Sequence, residues 1–128
     1  MSPDLKLLVW STALTVVQML VAVMGATLQV GLPPLVGNRE NLPAIVGWAG
    51  RAQRAHHNML ESLVLFAALV LVAQVAGKAN AMTALGAQLF FWARLVYAPV
   101  YVIGIPWVRT GVWTVSLVGL VLIFLQLL

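Results

Sequence analysis

The chain has 128 residues, 62% of them hydrophobic and only 8% charged, with a mean hydropathy of +1.02. A soluble domain carries about 25% charged residues, so a water-soluble globule is excluded; four membrane spans of about 20 residues each fill the chain and leave no room for a separate soluble domain. The net charge of +4 rests on seven scattered Lys/Arg, which excludes a nucleic-acid footprint, and the absence of cysteine excludes disulfides, thiolate metal sites and a cysteine nucleophile.

In chain order, the apolar run from Leu5 to about Val30 predicts a first spanning helix, interrupted only by Lys6, Gln18, Gln29 and small hydroxyls. It exceeds the 7–15 apolar residues of a signal peptide. Gly31, Pro33, Pro34, Gly37, Asn38 and Pro43 then mark a loop that carries Arg39 and Glu40 and reaches about Gly47. A second helix, about 48–76, opens on a polar stretch, Arg51-Ala52-Gln53-Arg54-Ala55-His56-His57-Asn58-Met59-Leu60-Glu61, and is wholly apolar thereafter. The short turn Gly77–Asn80 makes the second and third helices antiparallel neighbours. The third helix, about 81–103, holds Arg94 deep inside it; Gly104, Pro106 and Arg109 mark the next turn, and a fourth helix occupies about 110–128. The expected fold is therefore all-α, a single integral-membrane four-helix bundle.

Arg39, Arg51, Arg54 and Arg109 fall at the end of the first and third loops, against Lys6 and Lys78 at the other end. Cytoplasmic loops are enriched in Lys/Arg, so the first and third loops are expected to face the cytoplasm.

A charge inside a bilayer costs about 2.5–3.5 kcal/mol on insertion scales, so it is normally turned inward and paired. At 100° per residue, Arg51, Arg54, Asn58 and Glu61 share about 80° of one face of the second helix, in a stripe about 15 Å long. Arg94, Tyr97 and Tyr101 form a similar stripe on the third. Glu61 and Arg94 are natural partners, and such a pair can equally serve only to fix helix register. Arg51 can simply snorkel towards headgroups, and Tyr97 and Tyr101 can be interfacial belt aromatics, like most of the tryptophans. Gln18, Gln29 and Gln88 are expected to make interhelical hydrogen bonds. His56 and His57 point to different faces with no third ligand at zinc spacing, so no metal site is expected. Together, the arginines suit an anion, because the planar guanidinium fork matches a carboxylate. Asn58 and Glu61 add groups for an amide or an ammonium. A ligand with two carboxylates and one ammonium matches this set.

Arg51-Ala-Gln-Arg54-Ala55-His56-His57-Asn58-Met-Leu-Glu61 resembles the second-helix signature of the MAPEG family, the membrane-associated proteins in eicosanoid and glutathione metabolism. Arg94-Leu-Val-Tyr97-Ala-Pro-Val-Tyr101, followed by Pro106 and Arg109-Thr110, is similar to that family's third-helix and loop pattern. The resemblance implies a homotrimer with a glutathione site between neighbouring subunits, open to the cytosol. It implies that Arg54, Asn58, Glu61, Tyr101 and Arg109 contact glutathione, with Arg94 as inner support, and that Arg109 with Thr110 stabilises the thiolate. Arg51, His57, Tyr97 and Trp113 complete the expected shell. His57 stands where some members have a further arginine, Tyr97 where several have histidine, and Trp113 where a tyrosine hydroxyl would reach the site. Gly50 replaces a glutamate that often opens the motif. This pattern resembles the compact bacterial branch, which implies a bacterial inner membrane.

The expected function is a glutathione-dependent membrane enzyme of transferase or peroxidase type. Its partners would be membrane lipids, a lipophilic electrophile or lipid hydroperoxide, and further copies of itself. Two other functions fit the residues. One is a non-catalytic membrane protein that binds a lipid or anionic metabolite between subunits. The other is a small proton-coupled transporter, but the embedded glutamate of such four-helix exporters belongs in the first helix, where this chain has only Asp4.

Overall fold

Local chemistry sets the helix ends. Ser2 caps the first helix by accepting a hydrogen bond from the Leu5 N–H at 3.3 Å, with Pro3 in the first turn, where its missing N–H costs nothing. Asn80 caps another, accepting from the Met82 and Thr83 N–H groups at 2.9 Å each, while the Asn80 N–H donates back to Thr83 Oγ1 at 2.8 Å. Gly104 ends that helix in the left-handed conformation at φ 93°, which a side chain would resist.

In the computed structural model, which describes residues 1–128, the helices are α1 (Pro3–Val30), α2 (Leu32–Val36), α3 (Gly47–Val75), α4 (Ala81–Ile103) and α5 (Pro106–Leu127). All but α2 are long and apolar enough to cross a membrane. Two boundaries differ from the sequence expectation. Pro33 and Pro34, which mark a loop in the sequence, sit in the opening turn of the short α2. Pro106 likewise opens α5 a turn before the expected start, so Arg109 lies on a helix rather than in a turn.

The four long helices run up and down. At one end, Gln29 of α1 clamps Val46 through both backbone groups, and Arg51 Nε donates to the Val102 carbonyl at 2.8 Å. At the other, Lys78 Nζ donates to the Leu127 carbonyl at 3.2 Å and Asn80 Nδ2 to Gln126 Oε1 at 2.9 Å. Phe66 and Phe90 stack at 4.2 Å in the core between α3 and α4, beside Met59, Val70, Leu120 and Ile123. α5 packs chiefly on α4, and α1 on α3. About two thirds or more of each apolar window is not buried within the single chain, which leaves those side chains for lipid or a second copy.

The α4–α5 contact depends on two glycines. A Cβ on Gly119 would lie 2.5 Å from the Gly86 carbonyl, and one on Gly86 would lie 2.6 Å from the Gly119 carbonyl. Close backbone approach of this kind supplies the van der Waals contact that holds helices together in lipid. Gly119→Ala is therefore expected to lower the thermal midpoint by about 5 °C or more. Gly111→Ala, on the same helix where nothing lies within 4 Å, should leave it unchanged or raise it. Equal effects of the two substitutions would contradict the close crossing.

Candidate functional site

Arg94 is the largest fully buried side chain of the protein, 1% exposed on the inner face of α4. Its Nη2 donates to Asn58 Oδ1 at 2.6 Å and its Nε to the Met59 sulfur at 3.4 Å, both on α3. The guanidinium lies 4.3 Å from the Tyr97 ring centroid. Tyr97 meets Tyr101 edge-on at 5.6 Å, and the Arg109 guanidinium lies 4.5 Å from the Tyr101 ring. Two cations and two rings thus form one continuous ladder from the bundle interior to the first turn of α5. The negative ring faces offset part of the guanidinium charge. They do not supply a formal counter-charge, and Arg94 Nη1 is buried with no hydrogen-bond partner.

The expected pairing of Arg94 with Glu61 does not form. Glu61 is exposed, and Arg94 is instead bound by Asn58, three residues earlier on the same stripe. Three residues are about 4.5 Å along a helix axis. The register of α4 against α3, which a single helix pattern does not contain, decides which of the two lies opposite the arginine.

Beside the ladder, a cleft of about 220 Å³ is lined by Asn58 of α3, Tyr97 of α4, and Arg109, Thr110 and Trp113 of α5. All five are residues that the sequence singles out. Thr110 Oγ1 donates to the Pro106 carbonyl at 3.1 Å, leaving its lone pairs free to accept. The opening turn of α5 adds the partial positive charge of a helix N-terminus next to Arg109. The arrangement is suited to holding an anion.

The remaining site residues lie elsewhere. Arg51, through its bond to the Val102 carbonyl, ties α3 to the last turn of α4, an interaction favoured at a helix C-terminus. Arg54 and Glu61 are exposed on the single chain, outside the cleft. His57 lines a separate cleft of about 300 Å³ between α1, α2 and α3, shared with Arg39, Gln53 and His56. Its position next to Asn58 in sequence turns it about 100° away around the helix. Sequence reasoning missed this second cleft, because Arg39 reaches it from a loop with no periodicity to read. It also missed Gly50's role: a Cβ there would lie 2.5 Å from the Ile45 carbonyl, so the residue that replaces a glutamate lets the loop fold onto α3. Of the three glutamines, Gln29 joins α1 to the start of α3 as expected. Gln88 instead accepts from Trp92 on its own helix at 2.7 Å, and Gln18 Oε1 has no partner.

The model of the MAPEG family matches residues 7–128, nearly the whole chain. The chain belongs to the MAPEG family. No curated protein and no solved structure matches it. Family membership together with four apolar helices makes this a multi-pass integral membrane protein. Both stretches that carry the MAPEG resemblance, 51–61 and 94–110, contribute to the ladder and its cleft.

Proposed function

We propose that this MAPEG protein is a glutathione-dependent membrane enzyme of transferase or peroxidase type, working as a homotrimer with its glutathione sites between subunits and open to the cytosol. The observation that carries the reading is a buried guanidinium, Arg94, with an unpartnered Nη1 and no acid against it, linked through two tyrosines to Arg109 at a cleft. An uncompensated charge in a low-dielectric interior favours a site for an anion. Glutathione, with two carboxylates, fits that electrostatic demand and supplies the nucleophilic sulfur. Arg109 holds negative charge at the sulfur, because a neighbouring cation favours an ionised thiol. Thr110 Oγ1, whose own proton is donated to the Pro106 carbonyl, offers its lone pairs to a glutathione N–H at the same turn. Arg94 and Asn58 fix the inner end, so that the reactants meet in one orientation. The second substrate is a lipophilic electrophile or lipid hydroperoxide delivered from the bilayer.

A trimer is supported by what one chain leaves incomplete. The 220 Å³ cleft is smaller than the roughly 300–1,000 Å³ usual for ligand pockets. In a ring of three, two different faces meet at each interface. The cleft holding Arg39, Gln53, His56 and His57 lies on a different face of α3 and offers basic groups for the missing half. Exposed Arg54 and Glu61 lie near that seam on this arrangement. Millimolar glutathione is expected to raise the thermal midpoint of the purified protein by several degrees, about 2–3 kcal/mol at a hundredfold excess over Kd. An unchanged midpoint would contradict glutathione binding.

Trp113 favours a second reading, a non-catalytic binder of a lipid or anionic metabolite. An indole side chain lines the cleft where a phenol is expected, and indole can donate a hydrogen bond but not accept one. A co-purified lipid in the cleft with no turnover of standard electrophiles would support it.

A further inference from the structure

A cavity of about 560 Å³ opens between the first two turns of α1 and the middle of α4, with Lys6, Trp10, Gln88, Phe91, Trp92 and Leu95 in its wall. Both helices start at the end of the bundle where Lys78 and Asn80 meet Leu127 and Gln126, opposite the end that carries Arg109. Side chains on a helix lean towards its N-terminus, so Lys6 and Gln88 reach towards the same membrane surface. Lys6 is exposed, and no acidic side chain lines the cavity. Asp4, two residues earlier, lies about 200° away around α1 and is buried in the bundle. The other lysine at this end, Lys78, is already engaged with the Leu127 carbonyl. Gln88 adds a second polar group. Trp92 Nε1 donates to Gln88 Oε1 at 2.7 Å, and because indole only donates, this contact fixes the amide and leaves its N–H groups as what Gln88 has to offer. The polar part of the cavity thus combines a cation with a hydrogen-bond donor. Trp10 lies about 6 Å further along α1 than Lys6, and Leu95 about 10 Å further along α4 than Gln88, so the apolar part of the wall extends from there towards the bilayer interior.

We propose that this cavity holds one anionic phospholipid of the surrounding bilayer, its phosphate on Lys6 Nζ and the Gln88 amide and the start of an acyl chain against Trp10, Phe91 and Leu95. A free phosphate would leave the apolar wall bare. A zwitterionic lipid brings an ammonium for which the cavity has no carboxylate, whereas a net negative headgroup offsets Lys6 without one. Trp10 and Trp92 suit the level of the headgroups, where amphipathic rings collect. The site is independent of the glutathione reading: it lies at the opposite end of the bundle and shares no residue with the cleft of Arg109.

The test is native mass spectrometry of the full-length protein in detergent, titrated with phosphatidylglycerol or with phosphatidylcholine of the same acyl chains. The wild type is expected to retain phosphatidylglycerol about fivefold better, the worth of one lysine at an anionic headgroup. Lys6→Gln should bring the two lipids to parity, and Lys6→Arg should restore the preference. Lys78→Gln, which removes the same charge at the same end, should leave the preference intact. Gln88→Leu should weaken retention of both lipids, since each carries the phosphate. All of these positions are exposed, so the bundle core is untouched. Equal retention of the two lipids by the wild type, a preference that survives Lys6→Gln, or one that is lost in Lys78→Gln instead would each overturn the proposal. The rise in thermal midpoint with glutathione should be the same in Lys6→Gln as in the wild type, so failure of the lipid site leaves the enzyme reading standing, and the converse also holds.

Discussion

Arg109→Ala is expected to remove nearly all of the glutathione thiolate at pH 7 while leaving a large part of glutathione binding in place. A free cysteine thiol ionises near pH 8.5, so keeping it ionised at pH 7 requires at least about 2 kcal/mol of preferential stabilisation. The Arg109 guanidinium, held over Tyr101 at the first turn of α5, is the cation lining the cleft and is positioned to supply it. Ultraviolet difference absorbance of the thiolate at pH 7 should be present in the wild type and fall to a few per cent of that in the variant, and conjugation should slow by about thirtyfold. The pH dependence carries the sign. Ionisation of the bound thiol in the wild type should be complete at pH 7 and lost only on acidification. In Arg109→Ala it should appear only as pH rises through about 8.5. A variant with full thiolate absorbance at pH 7 would assign the activating charge elsewhere.

The second large effect is expected at Arg94, and its direction is unusual for a fully buried residue. Removing one partner of a buried ion pair costs about 3–5 kcal/mol because an uncompensated charge is left behind, whereas replacing buried charges by apolar groups is often neutral or stabilising by about 1–4 kcal/mol. Arg94 has no acidic partner to orphan; its contacts are an amide oxygen, a thioether and a ring. Arg94→Met should therefore leave the ligand-free thermal midpoint unchanged or raise it, and should erase most of the increase that glutathione produces. Arg94→Lys keeps the charge but not the planar fork, and should retain an intermediate response. Strong destabilisation of ligand-free Arg94→Met would mean that the guanidinium is a structural member of the bundle and not a waiting anion site.

The chain's own pattern reveals some of this arrangement and conceals the rest for identifiable reasons. Helical periodicity is enough to put Asn58 on one face with Arg54 and Glu61, and Tyr97 and Tyr101 on one face with Arg94, because each stripe lies within a single helix. Which residue of one stripe meets which of the other depends on the relative height of α3 and α4, and that height selects Asn58 over Glu61 as the partner of Arg94. The reach of α5 is another case. Pro106 reads as a breaker from sequence, yet at a helix start proline is favoured, so Arg109 is carried on a rigid turn. The resemblance places His57 at the anion site, but adjacency to Asn58 in sequence is separation around the helix, and His57 lines the other cleft. The clamp of Gln29 on Val46 spans 17 residues of irregular loop and leaves no periodic trace. The orphaned acceptor of Gln18 is visible only once the neighbouring helices are in place.

The whole account rests on the ladder of Arg94, Tyr97, Tyr101 and Arg109 being the wall of an anion site completed by a neighbouring copy. A structure of the protein in lipid with glutathione added tests this most directly. The predicted result is glutathione density bounded by Asn58, Tyr97, Arg109 and Trp113 of one copy, with Arg54 and Glu61 drawn onto it at the seam with the next. Three copies with no ligand density at the ladder, or a lone chain whose Arg54 and Arg109 guanidiniums open onto lipid with no cleft between them, would contradict it.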